Sequence, residues 1–198
     1  MLTDRTTLRN RLTELAATQS GYFTAAQARA LGYSYSQQSF HTGRGNWIRV
    51  ERNLYRLPHW PIGLHDDLVR AALWSRDRAV VSHESAARVH GLGEVDPLRT
   101  HVTVPPGFRG RRPDVILHHA PLDASEIERH TGFRLTTPLR TLVDLAGSST
   151  DLDQLGRAVH GAVERHVVTL RQIRSRAEQL DVRAALSLER ALLEAATS

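Results

Sequence analysis

Ser34-Tyr-Ser-Gln-Gln-Ser-Phe-His-Thr-Gly-Arg-Gly-Asn-Trp-Ile-Arg-Val-Glu-Arg-Asn-Leu-Tyr-Arg-Leu57 is the stretch on which the fold turns. Ser34 and Gln37 form a capping-box pattern that opens a short helix. Gly43 and Gly45 break it, and Trp47–Val50 and Leu54–Leu57 then read as two short strands around a turn at Glu51-Arg52-Asn53. This is the outline of a recognition helix followed by a β-wing. Upstream, Leu8, Leu12 and Leu15 recur at helical spacing and predict a helix over residues 6–18. A second capping box, Thr24 to Gln27, opens a helix that runs through Ala28 and Leu31 and stops at Gly32. Two short helices joined through Gly32-Tyr33 make the tight corner of a helix-turn-helix. Trp47 is placed to plug the core where the wing meets the helices.

The outward face of the third helix is open at this level. Burying Phe40 presents Tyr35, Gln38 and Thr42, flanked by His41; exposing it presents Ser36 and Gln37 instead. Either set contains a glutamine, which can hold adenine through two hydrogen bonds in the major groove. Arg44, Arg49, Arg52 and Arg56 follow along the break and the wing, suited to phosphate or minor-groove contact. The candidate DNA-binding set is therefore Ser34, Tyr35, Ser36, Gln37, Gln38, His41, Arg44, Arg49, Arg52 and Arg56.

Charge supports the same region. The 198-residue chain carries 26 basic residues, all arginine, and a net charge of +5. Residues 1–62 hold eight arginines against Asp4, Glu14 and Glu51, a net of +5, while residues 63–198 balance 18 arginines with 18 acids. The basic excess belongs to the first third, as expected for a polyanion partner. The absence of lysine removes P-loop and Schiff-base chemistry, and the absence of cysteine removes disulfides, thiolate catalysis and cysteine-bound zinc. No apolar run approaches the ~20 residues of a membrane span, and no signal-peptide pattern opens the chain. A cytoplasmic protein without membrane association is expected.

Pro58 and Pro61 bracket a natural linker and place a boundary there, with a winged helix over 1–60 and a second domain over 61–198. In that second domain Leu64–Trp74 reads as an amphipathic helix with Leu64, Leu68, Ala71 and Ala72 on one side. Ser82 is a candidate N-cap for a helix through Val89, with Glu84 near its positive end. His101–Val104 and Val115–His118 read as strands around a loop containing Arg109, Arg111 and Arg112, a second possible nucleic-acid contact. Phe133–Thr136 reads as another strand. Thr137 caps a helix with Pro138 at its first position. Helices then follow from Asp151, from Thr169 and from Arg183. The eleven histidines show no HExxH spacing, and Ser82-His83-Glu84 are sequence neighbours, not a triad. Capping and packing account for them, and no enzymatic activity, metal or cofactor is expected.

A family is visible in this order. Gly21-Tyr-Phe-Thr-Ala-Ala-Gln-Ala28, the capped helix, Gly45-Asn-Trp-Ile-Arg-Val50 and Asn53-Leu-Tyr-Arg-Leu57 resemble the N-terminal winged helix of AbiEi-type antitoxins, the regulator halves of type IV toxin–antitoxin systems. Val81-Ser-His-Glu-Ser-Ala-Ala87, His90-Gly-Leu92, Thr100-His-Val-Thr-Val104 and Leu135-Thr-Thr-Pro-Leu-Arg-Thr-Leu-Val-Asp-Leu-Ala146 resemble stretches of that family's C-terminal region. The resemblance implies an α+β chain: a winged helix-turn-helix, then a mixed α/β antitoxin-like domain ending in helices. It also implies a transcriptional autorepressor that binds double-stranded DNA at repeats in its own promoter. A nucleotidyltransferase-type toxin is the implied functional partner, with no direct binding assumed. The competing expectations are a winged helix that docks a protein instead of DNA, and a stand-alone regulator without a toxin.

Overall fold

In a computed structural model, which describes residues 5–148 and 151–197, the chain is α+β and divides into two compact units. The first comprises the residues up to Asp77 together with His130–Phe133; the second comprises Arg78–Arg129 and the residues from Arg134 onward.

The first unit begins with α1 (Arg5–Ala17), β1 (Tyr22–Thr24), α2 (Ala25–Leu31) and α3 (Tyr35–Gly43). The wing strands β2 (Ile48–Glu51) and β3 (Leu54–Arg56) follow, then α4 (Asp66–Trp74). The three strands form an antiparallel sheet in the order β1-β3-β2. The helical spacing of α1 turns Leu8, Leu12 and Ala16 inward, while Leu15 is half-buried. Both capping boxes form, and Gly32 closes α2 in the left-handed conformation at φ 118°. Trp47 packs with Phe23, Ala28 and Tyr33 in the core of this unit, as its position in the sequence implied.

The expected boundary at Pro58–Pro61 lies inside this unit. The helix that follows it, α4, starts at Asp66 rather than Leu64, whose side chain is 83% exposed. Two long-range bonds tie α4 to the winged helix: Tyr22 Oη donates to Asp66 Oδ2 at 3.0 Å, and Arg70 pairs with Glu51 on β2. Such pairs between distant segments leave no trace in local composition. The division between units therefore falls after Asp77.

The second unit contains β4 (Val80–Val81), α5 (His83–His90), β5 (Thr100–Val104) and β6 (Val115–His119). β7 (Ile127–His130) and β8 (Phe133–Thr136), all but His130 and Phe133 of which belong to this unit, then α6 (Pro138–Gly147), α7 (Leu152–Glu164), α8 (Leu170–Leu180) and α9 (Val182–Thr197) complete the order. The mixed sheet runs β6-β5-β4-β8-β7, with β4 parallel to β8 and β5 parallel to β6. α6 is the central helix, burying Leu142, Val143, Leu145 and Ala146 against residues of α5, α7, α8 and α9. Its start is as read: the Thr137 side chain accepts from the Arg140 amide and Pro138 occupies the first turn. Among the described residues no helix is long and apolar enough to cross a membrane.

Truncating Trp47 to Ala removes the largest side chain in the core of the winged helix. The expected cost is about 3–5 kcal/mol in urea unfolding of that unit, the range for aromatic truncation in a packed core. A change below about 1 kcal/mol would show that Trp47 does not organise this core.

Candidate nucleic-acid interface

The corner between α2 and α3 is set by hydrogen bonds local to each helix start. Thr24 Oγ1 accepts from the Gln27 amide at 3.1 Å, while Gln27 Oε1 accepts from the Thr24 amide at 2.8 Å. The same exchange at α3 links Ser34 and Gln37 at 3.2 and 2.7 Å. These bonds satisfy amides that a helix start leaves without intrahelical partners.

The inner face of α3 is polar. Gln38 is buried, and its Nε2 donates to the carbonyls of Ala25 at 3.3 Å and Tyr33 at 3.4 Å. Thr42 is half-buried and donates its hydroxyl to Gln38 O at 2.8 Å. His41 stacks on Trp47 with ring centroids 4.9 Å apart, and burial lowers its pKa below 6.5. Phe40 points the other way and is 56% exposed.

The question left by the sequence is thereby answered. Ser36, Gln37 and Phe40 share the outer face of α3, and Gln38 is corrected from a candidate base reader to a core residue. Hydrophobicity alone misassigns this helix because Trp47 and Tyr33 already occupy the apolar interior that Phe40 would have filled. His41 is likewise a strut against Trp47. Tyr35 is exposed but held from behind: Arg29 lies over its ring at 4.5 Å and donates to its hydroxyl at 2.6 Å.

Gln37 differs from the simple expectation as well. Its amide oxygen is taken by the capping bond from Ser34, so bidentate recognition of adenine would require breaking the cap. Intact, it offers its amide nitrogen as a donor to guanine, thymine or phosphate acceptors. Ser34 is also spent on the cap, and its hydroxyl lies 2.9 Å from that of Ser36.

The wing arginines divide in two. Arg44, Arg49 and Arg52 are exposed, with the Arg44 guanidinium 5.6 Å above the Phe40 ring. Arg56 is half-buried, sits over the Tyr22 ring at 5.4 Å and donates to Trp60 O, so it is corrected to a packing residue. The accessible members of the predicted set are thus Tyr35, Ser36, Gln37, Arg44, Arg49 and Arg52. Phe40 is the addition, and its signal was a phenylalanine in an otherwise polar helix of a basic domain.

In the second unit, the 105–113 loop keeps only part of its expected charge available. Arg112 pairs with Asp114 at 2.7 Å and Phe108 is buried, leaving Arg109 and Arg111 exposed. This unit also brings together histidines that the sequence scattered. His83 and His118 stack at 3.4 Å between centroids, His118 Nε2 lies 3.2 Å from His101 Nδ1, and His101 Nδ1 lies 2.6 Å from Glu84 Oε2. Ser82 does not cap α5 with its side chain as expected; its hydroxyl accepts from Thr103 at 2.8 Å and lies 2.9 Å from His83 Nδ1. Burial drives His83 down to about 3 and His118 to about 4, so the stacking of these two rings on each other is between neutral imidazoles at pH 7. Burial also raises the Asp144 carboxyl to about 6 against the pull of Arg140. Arg140 bridges Asp144, one turn along the same helix α6, at 2.7 Å and Glu126 at 2.8 Å. No set of three or more His, Asp or Glu side chains among the described residues has the geometry to hold a metal ion.

Residues 79–195 match the family model described as the AbiEi antitoxin C-terminal domain, and residues 10–58 match the one described as "Transcriptional regulator, AbiEi antitoxin". The chain belongs to the AbiEi antitoxin family. Its role is accordingly that of an antitoxin and transcriptional regulator, and both halves defined by the sequence carry family signal. The crystal structure of the RV2827C protein from Mycobacterium tuberculosis is similar, with a TM-score of 0.61 over 93% of this chain and 77% of that one. At 16% identity it shows the shared fold alone. No curated protein sequence matches.

The histidine stack of this AbiEi-family chain makes a prediction about pH. The folded-state value of His83 lies below the ordinary 6.5, so the folded chain binds fewer protons there than the unfolded chain. Its stabilisation is complete above pH 6.5 and is lost as pH falls from 6.5 towards 3. His118 acts in the same sense; Asp144, raised to about 6, acts in the opposite sense and partly offsets it. The melting temperature should therefore fall between pH 7 and pH 5, and His83→Asn, which tolerates the positive φ of 51°, should fall less. Equal slopes for the two proteins would contradict the assignment.

Proposed function

We propose that this protein is the DNA-binding autorepressor and antitoxin of a type IV toxin–antitoxin system, acting on repeats in its own promoter and countering a nucleotidyltransferase-type toxin. The observation that carries the DNA half is the outer face of α3, where Ser36, Gln37 and the exposed Phe40 are followed by the exposed Arg44, Arg49 and Arg52. This basic face falls in the third of the chain that holds the whole charge excess.

In this mechanism the three arginines anchor the phosphates and set the register. The Gln37 amide and the Ser36 hydroxyl offer hydrogen bonds to base edges, and the Phe40 ring supplies apolar contact to a thymine methyl in the major groove. The capping boxes and the Gln38 bonds hold α3 rigid, so little ordering entropy is lost on binding. Neutralisation of the toxin needs no stable complex in this account, and co-expression with the toxin from the adjacent reading frame would test it by rescue of growth.

Fluorescence anisotropy with the protein's own upstream DNA tests the interface. Replacing Arg49 and Arg52 by Ala should weaken binding to all sequences and lower the slope of log affinity against log salt by about 1.8, roughly 0.9 for each lost phosphate contact. An unchanged slope would remove the wing from the interface. The Phe40 contact has its own check. DNA made with uracil in place of thymine should bind the native protein several-fold more weakly, whereas Phe40→Ala should bind both DNAs alike; equal loss in both proteins would rule the contact out.

A further inference from the structure

A cleft of about 550 Å³ opens on the first unit, bounded by α2, the start of α3, the wing turn and the end of α4. That volume lies within the range of small-molecule sites. Its apolar part comes from Ala25, Leu54 and Leu73, and its flat aromatic surfaces from Tyr35 and Trp74. Around these stand three guanidinium groups, Arg29, Arg52 and Arg76, all on exposed residues. The one carboxylate in the lining is Glu51, which is engaged by Arg70. None of the three arginines has a carboxylate partner among the described residues, and the bond of Arg29 goes to the Tyr35 hydroxyl.

We propose that this cleft binds a free mononucleotide, with the base against Tyr35 or Trp74 and the phosphate held by Arg29 and Arg76. The chemistry selects both halves of the ligand. Guanidinium forks without a carboxylate partner match phosphate oxygens in geometry and charge, and aromatic faces accept any base by stacking at about 1–3 kcal/mol. Duplex DNA does not fit the shape. A double helix presents its phosphates on a convex surface, and its stacked bases cannot enter a recess of this size. The arginines that serve the duplex are Arg44, just past α3, and Arg49 and Arg52 of the wing.

The site has a consequence for regulation, which rests on the DNA-binding proposal above. Tyr35 and Arg52 line the cleft and also belong to the accessible DNA-facing set. A bound phosphate draws Arg52 inward and a stacked base fixes Tyr35, so the nucleotide and the DNA compete for the same two side chains. Linkage makes the effect reciprocal: the nucleotide lowers DNA affinity by the same factor as DNA lowers nucleotide affinity.

The test is calorimetric titration of the full chain with AMP, GMP, CMP and UMP, with adenosine and inorganic phosphate as separate arms. At least one mononucleotide should bind, with the nucleoside and the phosphate each at least tenfold weaker. The double variant Arg29→Met, Arg76→Gln should lose at least tenfold in nucleotide affinity with an unchanged melting temperature. A repeat with Trp74→Phe, which keeps a flat ring, should retain binding. Failure of all four nucleotides to bind at millimolar concentration overturns the site, as does equal binding of phosphate alone or indifference to the arginine substitutions. DNA titrations with and without the nucleotide then report the competition. A chain that binds nucleotide but no DNA would contradict the DNA reading and leave the cleft standing.

Discussion

The winged helix depends on the burial of Trp47. This side chain comes from the edge of the wing and packs edge-on against Phe23 of β1 at 4.9 Å and Tyr33 of the corner at 5.0 Å, while stacking on His41 of α3. One residue therefore joins the sheet, the turn and α3. Aromatic pairs in these geometries add about 0.5–1.5 kcal/mol each beyond the area they bury. Because His41 and Gln38 fill the remaining inward positions of α3, no space is left for Phe40. The exposure of Phe40 on the outer face of α3 follows from how the core is filled, and the proposed contact with DNA rests on that exposure.

This explains what could be read from the chain and what could not. The two capping boxes, the Gly32 stop and the Thr137-Pro138 start are local, each encoded within about four residues, and each forms as read. The inward turn of Gln38 depends on carbonyls at Ala25 and Tyr33, set by the packing of α2 on α3, so the helical wheel alone left two faces open. Arg56 looked equivalent to Arg49 and Arg52 by sequence, yet the antiparallel register places it opposite Tyr22, and its guanidinium is used there. The grouping of α4 with the winged helix rests on Tyr22–Asp66 and Glu51–Arg70, which join positions 44 and 19 residues apart. Proline at the linker was a local cue that these contacts outweigh.

The second unit shows the same division between local and distant information. Its helix starts were legible, but the hydroxyl of Ser82 is drawn away from α5 by Thr103, 21 residues later. His83, His101 and His118 come from three separate segments and meet only because α5, β5 and β6 are neighbours. The neutral imidazoles of His83 and His118, beside an Arg140 that is shared between Glu126 and Asp144, form a polar layer between sheet and helices. Such a layer is costly to leave partly bonded, which ties the arrangement of these elements to one set of partners.

The central claim is that DNA meets the outer face of α3 together with the exposed arginines that follow it. The most direct measurement is backbone-amide chemical-shift mapping of the labelled full chain on addition of its upstream DNA. The account predicts the largest changes at Ser36, Gln37, Phe40, Arg44, Arg49 and Arg52, with Gln38 changing little and its amide remaining protected from exchange. Changes concentrated at Arg109 and Arg111 of the second unit, with α3 silent, would contradict it.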